Sequence, residues 1–390
     1  MRYPECRSLP PRATRALLKS LAGIRPATAD TGTILYINNP PVESQAFRRY
    51  LRGLGNIAKG ESVPLVVHVA ITDRCDYSCG RCSNRYMRSD SCRDPSLEDI
   101  VGLLKSLKEA GTVSVAFTGG EPMLREDLCR LVAACGPEIA PLLFTSGQNV
   151  DSMAAANLRS AGLATAVVSL DSHRADEHDS IRNKAGAFQQ AVRAIGCFLD
   201  AGIYTAAQAV ADTRLLAGPG NMEEYLQFCK RMGVHEVIIL DPMAFGSGGG
   251  SEIMSPEQRR QLRNLQLFSA SNPGMPKVTT AAYLESPDYL GCLAGYSFLY
   301  VNSAGDLFPC DFAPVSFGNV FALGFGAVIQ RARSVIKRPC TKCLATRIAG
   351  TCGQSARFPL GWDQTEGLLS RLERDEPAAL MKRMTKYTGA

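Results

Sequence analysis

The sequence predicts a mixed α/β protein in which parallel strands alternate with helices, as a barrel or as an open doubly wound sheet. Short β-branched runs and amphipathic helical stretches alternate between residues 65 and 241. Most of these runs are apolar along their whole length, as expected for parallel strands covered on both faces. The chain can also bury a large core, because 45% of its 390 residues are hydrophobic. The six predicted strands are Leu65–Ile71, Val113–Thr118, Pro141–Thr145, Thr165–Leu170, Thr205–Ala211 and Glu236–Asp241.

Helical patterns fill the stretches between the strands. Ser96 and Asp99 form a capping-box pattern at the start of the predicted helix Leu97–Ala110. Gly233 follows the predicted helix Met222–Met232 at the position where a C′ glycine ends a helix. In a parallel α/β layout the ligand site lies where the strands end and the loops converge. The remaining predicted helices between strands are Asp151–Ala161 and Ala187–Ala201.

Outside the alternating region the pattern changes. Phe245–Ser251 is a glycine-rich break after the sixth strand, and Ser255–Ser269 has the pattern of a polar helix. Further on, Ser297–Asn302 and Leu307–Pro309 predict a hairpin. Two basic helices are predicted near the N-terminus, around Ala13–Ala22 and over Glu43–Ala58. The predicted segments are a helical N-terminal extension (1–64), the strand–helix region (65–255), a connecting helix and linker (256–285), a cysteine-bearing module (286–360) and a C-terminal helical tail (361–390).

Charge and hydropathy exclude several classes of protein. The net charge of 43 − 37 = +6 is spread along the chain and is too mild to favour nucleic acid as a partner. Arg48, Arg49 and Arg52 are interpreted as one solvated helix face. No run of 18 apolar residues predicts a membrane span, and the N-terminus lacks the pattern of a secretory signal. We therefore expect a cytoplasmic protein.

The 14 cysteines are the unusual feature, because cytosolic thiols stay reduced and serve metal or redox chemistry more often than disulfides. Three of them, Cys75, Cys79 and Cys82, follow the first strand within eight residues. Three thiolates on one loop can bind three corners of an iron–sulfur cube and leave the fourth iron open. Structural zinc is the alternative, although it prefers four protein ligands. Five more cysteines lie in the last third, at 292, 310, 340, 343 and 352, and the other six are interpreted as small buried hydrophobic residues.

The C-x-x-x-C-x-x-C spacing after the first strand resembles the radical S-adenosylmethionine (SAM) superfamily. The resemblance implies a partial (β/α)6 barrel with a 4Fe–4S cluster on Cys75, Cys79 and Cys82. It also implies SAM on the fourth iron, cleaved reductively to a 5′-deoxyadenosyl radical that abstracts a substrate hydrogen. Arg81 stands where the family often has an aromatic residue near the adenine, so Tyr77 is expected to cover that face.

Further strand-end motifs resemble the family's SAM contacts. Gly119-Gly120-Glu121-Pro122 after the second strand is similar to the motif for the SAM amino group: the glycines let backbone carbonyls approach, and Glu121 offsets the ammonium charge. The resemblance implies four more cofactor contacts, which are Ser146 in a T-S-G turn, Ser169 and Asp171 in S-L-D, and Arg182 toward the SAM carboxylate.

The second cysteine group resembles the auxiliary-cluster modules called SPASM, or Twitch in their shortened form. Five cysteines allow one complete all-cysteine cube, which the resemblance places on Cys292, Cys310, Cys340 and Cys343. Cys352 is then a spare, an alternative ligand or a thiol that donates a hydrogen atom. Four thiolates also suit zinc, so this alternative stays open.

Three functional interpretations follow. The first is a radical SAM oxidoreductase that uses one auxiliary 4Fe–4S cluster to oxidise a sugar, an aminocyclitol or another small molecule, or a peptide side chain. A reductase, flavodoxin or ferredoxin is expected to supply the electron. The second is a maturase of the same fold that cross-links or epimerises a ribosomal peptide. The third is a non-enzymatic zinc or iron–sulfur protein. The sequence does not identify the substrate.

Overall fold

A computed structural model gives the architecture. It describes residue 14 and residues 23–88, 94–216, 218–242, 245, 254–352 and 357–372. The predicted helix around Ala13–Ala22 lies outside the described residues apart from residue 14. Most of the glycine-rich break, two of the scattered cysteines (Cys6 and Cys92) and the tail after residue 372 also lie outside them.

The described residues form twelve strands and fourteen helices, beside short 3₁₀ turns. The strands are β1 (Ala27–Ala29), β2 (Gly32–Ile34), β3 (Val66–Thr72), β4 (Ser114–Gly119), β5 (Ala140–Thr145), β6 (Thr165–Ser169), β7 (Tyr204–Val210), β8 (Glu236–Leu240), β9 (Val278–Thr280), β10 (Phe298–Val301), β11 (Asp306–Phe308) and β12 (Gly318–Asn319). The helices are α1 (Gln45–Ala58), α2 (Leu97–Glu109), α3 (Leu128–Ala134), α4 (Ser152–Ala161), α5 (Ala175–Arg182), α6 (Ala187–Asp200), α7 (Thr213–Leu216), α8 (Pro219–Met232), α9 (Pro256–Ser271), α10 (Ala281–Leu284), α11 (Val320–Leu323), α12 (Phe325–Val335), α13 (Leu344–Cys352) and α14 (Trp362–Arg371).

One ten-stranded sheet, in the order β12-β11-β10-β3-β4-β5-β6-β7-β8-β9, organises the protein. Strands β3 to β9 are parallel to their neighbours, and the six predicted strands are β3 to β8. The predicted α/β class with its parallel sheet is therefore confirmed. The sequence did not predict β9, because a run of three residues is too short for a periodic signal.

Local sequence signals set the helix ends. Ser96 and Asp99 form the predicted capping box at the start of α2, with both reciprocal hydrogen bonds present. Asp151 accepts a hydrogen bond from the Ala154 N–H and caps α4. Gly233 ends α8 in the left-handed conformation, at φ 80°. These caps satisfy backbone groups that a helix end leaves without partners, so they fix where each helix meets its loop.

The N-terminal extension contains strands that the sequence analysis did not assign. β1 and β2 form a hairpin in the stretch that joins the two predicted helices, and Gly32 (φ 119°) occupies the position that favours glycine. After this hairpin the chain enters the barrel, where Ile37 packs with Ala116, Leu142 and Val167. The extension therefore fills part of the barrel interior, so it is not a purely helical segment.

A buried ion pair lies at the N-terminal ends of the strands, near the same segment. Lys277 Nζ lies 3.0 Å from Glu236 Oε2, and both side chains are almost fully buried. The ammonium also donates to the Tyr204 hydroxyl at 3.0 Å and to the Ile34 carbonyl at 3.3 Å. Glu236 accepts further hydrogen bonds from Tyr204 (2.8 Å) and from Thr279. Each charge is thus fully partnered, as burial in a low-dielectric interior requires.

The predicted C-terminal hairpin is present as β10 and β11, with Gly305 at φ 93° in its turn. Its first strand pairs in parallel with β3, where Phe298 is opposite Val66 and Tyr300 is opposite His68. The hairpin therefore continues the barrel sheet on the side away from β4. This pairing places the hairpin that precedes Cys310 beside β3, the strand that precedes Cys75.

Candidate active site

The first cysteine loop leaves the C-terminal end of β3 and rests on the turn after β4. The Gly120 N–H donates to the Thr72 carbonyl at 2.7 Å, and the Glu121 N–H donates to the Arg74 carbonyl at 2.8 Å. A Cβ atom at Gly119 would lie 2.2 Å from the Thr72 carbonyl oxygen, and one at Gly120 would lie 2.1 Å from that of Arg74. Both glycines are therefore required by the close approach of the two loops, whatever they contribute to SAM.

We expect Gly120→Ala to lower the free energy of unfolding by about 2–3 kcal/mol, because the new methyl group collides with rigid backbone. The shift of the cysteine loop should also reduce iron uptake on reconstitution. Denaturant unfolding and iron analysis measure the two effects.

Gly102→Ala is the matched control, since nothing lies within 4 Å of a Cβ there and the residue is inside α2. This change should be neutral or should stabilise the protein by about 0.5–1 kcal/mol. Equal stabilities of the two variants would contradict the steric argument.

Glu121 links the ends of β4 and β5. Its buried carboxylate accepts hydrogen bonds from the hydroxyl of Thr145 (2.7 Å), the hydroxyl and N–H of Ser146 (2.6 and 2.8 Å) and the N–H of Met123 (3.1 Å). Burial raises the pKa of Glu121, and these donors oppose the rise. The predicted cofactor residues Glu121 and Ser146 therefore bind each other, and Pro122 starts a short 3₁₀ turn beside them. Their direct contact with SAM stays a prediction.

The thiols of the first loop are reduced and partly exposed. Burial raises the pKa of Cys75, and the negative charges of Glu121, Cys79 and Cys82 raise it further. Burial also raises the pKa of Cys79, whereas Arg182 lowers it through its charge and a hydrogen bond. The loop thus brings together thiols that would repel one another when ionised. The positively charged irons of an iron–sulfur cluster would offset this repulsion.

Arg182 and Asp171 form the other predicted part of the SAM site. Arg182 Nη2 lies 2.7 Å from Asp171 Oδ2, and Ser169 is the last residue of β6 just before this aspartate. The Asp171 N–H donates to His178 Nδ1 at 3.1 Å. Burial and the charge of Arg182 lower the pKa of His178 to about 4, so the imidazole is neutral at pH 7 and accepts this bond. Arg182 is thus already paired with Asp171, and its predicted grip on the SAM carboxylate is untested.

Tyr77 and Arg81 of the cysteine loop each form a side-chain hydrogen bond to a residue outside the loop. The buried Tyr77 donates to Gln190 Oε1 at 3.1 Å. Arg81 donates to Asp212 at 2.8 Å, just after β7, and Arg214 lies 3.6 Å from the same carboxylate. The residue that departs from the family pattern is therefore part of an ion-pair network that fixes the cysteine loop to β7.

Several residues that sequence reasoning missed hold the cysteine loop in place. Ser303 in the hairpin turn donates to Asp73 at 2.6 Å, and Asn84 donates to the other oxygen of Asp73 at 3.0 Å. Tyr300 of β10 donates to Asn84 at 2.8 Å. Ser303 and Tyr300 are more than 200 residues from their partners, and no local pattern identifies such contacts. Further links join Gln148 to Asp76 and Asn183 to Ser78.

The second cysteine group converges around Cys292. Cys292 and Cys340 exchange two backbone hydrogen bonds, at 2.7 and 3.1 Å. The Cys292 thiol donates to Cys343, which lowers the pKa of Cys343. Burial raises the pKa of Cys310, and the negative charge of Cys343 raises it further. Burial alone raises the pKa of Cys352 at the end of α13. The structure thus brings the four predicted ligands together, while Cys352 shows no electrostatic link to them.

The described part of the chain contains no group of three or more His, Cys, Asp or Glu side chains arranged to hold a metal ion. A four-iron cube binds each thiolate through a different iron, so its ligands stand further apart than those of a single ion. In the same described residues, no helix combines the length and apolar character that a membrane span requires.

Comparison with known proteins identifies the fold and its domain. Residues 69–239 match the Radical SAM superfamily. The chain is 22% identical over 320 residues to the AdoMet-dependent heme synthase of Nitratidesulfovibrio vulgaris (strain Hildenborough), covering 72% of this chain and 85% of that protein. The structure of Streptococcus suis SuiB bound to the precursor peptide SuiA has a TM-score of 0.55 at 19% identity, covering 75% of this chain and 69% of SuiB. The structure of anSMEcpe with bound AdoMet and Cp18Cys peptide has a TM-score of 0.57 at 18% identity, covering 78% and 95%.

The barrel, with three cysteines at the end of its first strand, therefore matches the Radical SAM superfamily over residues 69–239, as the sequence predicts, and it shares the fold of SuiB. Members of this superfamily are enzymes, and the fold implies a 4Fe–4S cluster and SAM. The Cys75 loop fits such a cluster, because it supplies three thiols on one loop at the end of β3.

Proposed function

We propose that the protein is a radical SAM oxidoreductase that oxidises a peptide side chain with the help of one auxiliary 4Fe–4S cluster. When bound, the first cluster and SAM supply the 5′-deoxyadenosyl radical that abstracts a substrate hydrogen, and the auxiliary cluster supplies a one-electron acceptor. Cys75, Cys79 and Cys82 would hold the first cluster, and four cysteines of the second group would hold the other.

The convergence of Cys292, Cys310, Cys340 and Cys343 carries this proposal. An all-cysteine cube has every iron bound by the protein, so electron transfer is its natural task. The site also adjoins the barrel, because the hairpin that precedes Cys310 continues the barrel sheet from β3. Burial raises the pKa of Glu285, and the charges of Cys343 and of Asp241, which follows β8, raise it further. An electron acceptor there would be close to the barrel mouth, where a substrate would bind.

A peptide substrate is favoured by two of the similar structures, which contain the precursor peptide SuiA and the Cp18Cys peptide. The sugar or aminocyclitol of the first interpretation stays an untested prediction. The two classes are separated by which substrate loses two hydrogens of mass, because oxidation of an alcohol gives a carbonyl in a sugar and in a serine side chain alike.

Anaerobic reconstitution with iron and sulfide tests the auxiliary cluster. We expect about eight irons per chain in the wild type. The quadruple variant with alanine at residues 292, 310, 340 and 343 should hold about four, whereas Cys352→Ala should still hold about eight.

Turnover then tests the oxidation. Synthetic peptides that each carry one serine, cysteine, tyrosine or lysine should be tried with SAM and dithionite. Faster release of 5′-deoxyadenosine, with a peptide lighter by two hydrogens, would support the proposal. About four irons in the wild type, or bound zinc, would reject the auxiliary cluster, and oxidation of an aminocyclitol alone would reject the peptide.

A further inference from the structure

We propose that His68, held by Asp311, is the barrel's acceptor for a substrate O–H or N–H donor, and so determines which side chains the enzyme selects. This inference rests on the proposed function and adds a residue that contacts the substrate. His68 lies within β3, the strand that precedes the first cysteine loop, and Asp311 directly follows Cys310 of the second cysteine group.

The pair has a defined geometry. His68 Nδ1 lies 2.7 Å from Asp311 Oδ2. An ionised carboxylate can only accept a hydrogen bond, so Nδ1 carries the proton and donates it. In the neutral imidazole this arrangement leaves a lone pair on Nε2. Asp311 is thus a positioning residue that fixes both the tautomer and the ring orientation.

The free nitrogen is the unusual observation. His68 is only 5% exposed, and its Nε2 is buried with no hydrogen-bond partner. Buried polar atoms almost always have partners, and each exception needs an explanation. The second oxygen of Asp311 is also buried without a partner, although this side chain is 22% exposed. Two neighbouring acceptor atoms without hydrogen-bond donors indicate that a group outside the chain donates hydrogen bonds to them.

Strand alternation places His68 on the inner face of the barrel. Its neighbours Val67 and Val69 pack in the main core beneath the helices, so His68 points the other way. The rings of Phe144 on β5 and Phe298 on β10 flank the imidazole, with centroids 5.0 and 4.6 Å away. An apolar wall with one oriented acceptor is the usual composition of a small-ligand site.

This environment favours substrates that can donate a hydrogen bond to His68. A side chain with a hydroxyl, amine or amide donor would satisfy Nε2, whereas its apolar analogue would leave the acceptor buried and unmet. Sites of this kind discriminate strongly against the analogue that lacks the donor. The shared chemistry covers both a peptide side chain and an aminocyclitol, and the experiment separates these sources.

The tautomer is tested first, without any substrate. Long-range ¹H–¹⁵N spectra of the reconstituted enzyme labelled with [¹⁵N]histidine, near neutral pH, should show an unprotonated Nε2 for the resonance that His68→Phe removes. Asp311→Leu should move the proton toward Nε2, and Asp311→Asn should restore the original pattern. A protonated Nε2 in the wild type would overturn the proposal.

Selectivity is tested with pairs of synthetic peptides, serine against alanine and threonine against valine, by equilibrium dialysis. The wild type should bind the donor peptide about tenfold more tightly, and His68→Phe should reduce this ratio to about one. His235→Phe is the matched control, because that ring stacks on Tyr204 at the N-terminal ends of β7 and β8, and it should keep the ratio.

The outcomes separate the two proposals. An equal preference in wild type and His68→Phe would overturn the role of His68, even where peptides are oxidised. Selectivity for an aminocyclitol over its deoxy analogue, with no peptide binding, would support His68 and reject the peptide substrate. The tautomer measurement decides the inference if neither class binds.

Discussion

Replacing Cys75, Cys79 and Cys82 together by alanine should reduce the release of 5′-deoxyadenosine from SAM to background. The three thiols share one loop at the end of β3, and the resemblance assigns the SAM-binding cluster to them. Removing all three deletes every protein ligand of that cluster. Chromatography of the dithionite reaction measures the loss, and iron analysis should show about four irons remaining per chain.

Cys129→Ala is the control for a general effect of cysteine removal. Cys129 is also reduced and partly exposed, but it lies on α3 outside both groups. This variant should keep full activity and about eight irons. Normal SAM cleavage by the triple variant would contradict the assignment of the first cluster.

The second large effect concerns stability. Lys277→Met should lower the free energy of unfolding by about 3–5 kcal/mol, because it leaves Glu236 as an uncompensated buried charge. Glu236 is fully buried, and its other partners, Tyr204 and Thr279, donate hydrogen bonds but carry no charge. Denaturant unfolding monitored by circular dichroism measures the change.

The double variant Lys277→Met/Glu236→Leu is the informative comparison. It removes both charges and should recover most of the lost stability, since replacing a whole buried pair is often neutral. A double variant as unstable as the single one would show that packing, and not the uncompensated charge, causes the loss.

The strands that the sequence predicted are those with long apolar runs, such as β3, in which all seven residues are buried. The capping box of α2 and the terminal Gly233 of α8 were also predictable, because each depends on a few adjacent residues. The hairpin at β1 and β2 was not, since three-residue strands stabilised by tertiary packing carry no periodicity.

At the candidate site, too, contacts between residues far apart in the sequence could not be predicted. Spacing separated the two cysteine groups, and the resemblance to the radical SAM superfamily singled out Gly119 and Gly120 after β4. The sequence does not single out His68 as a functional residue, because its partner Asp311 is 243 residues away. The pairing of Ser303 with Asp73 was hidden for the same reason, at a separation of 230 residues. Such contacts depend on β10 joining β3, which no local pattern reveals.

The parallel pairing of β10 with β3 also has a consequence for how the protein could be divided. Cutting the chain before β10 would strip β3 of one neighbour and turn it into a bare, strongly apolar margin. Unpaired strands of this kind recruit other chains and promote aggregation. The shorter piece would therefore be an unstable fragment, and the parts of the intact chain that carry the two cysteine groups form one cooperative folding unit.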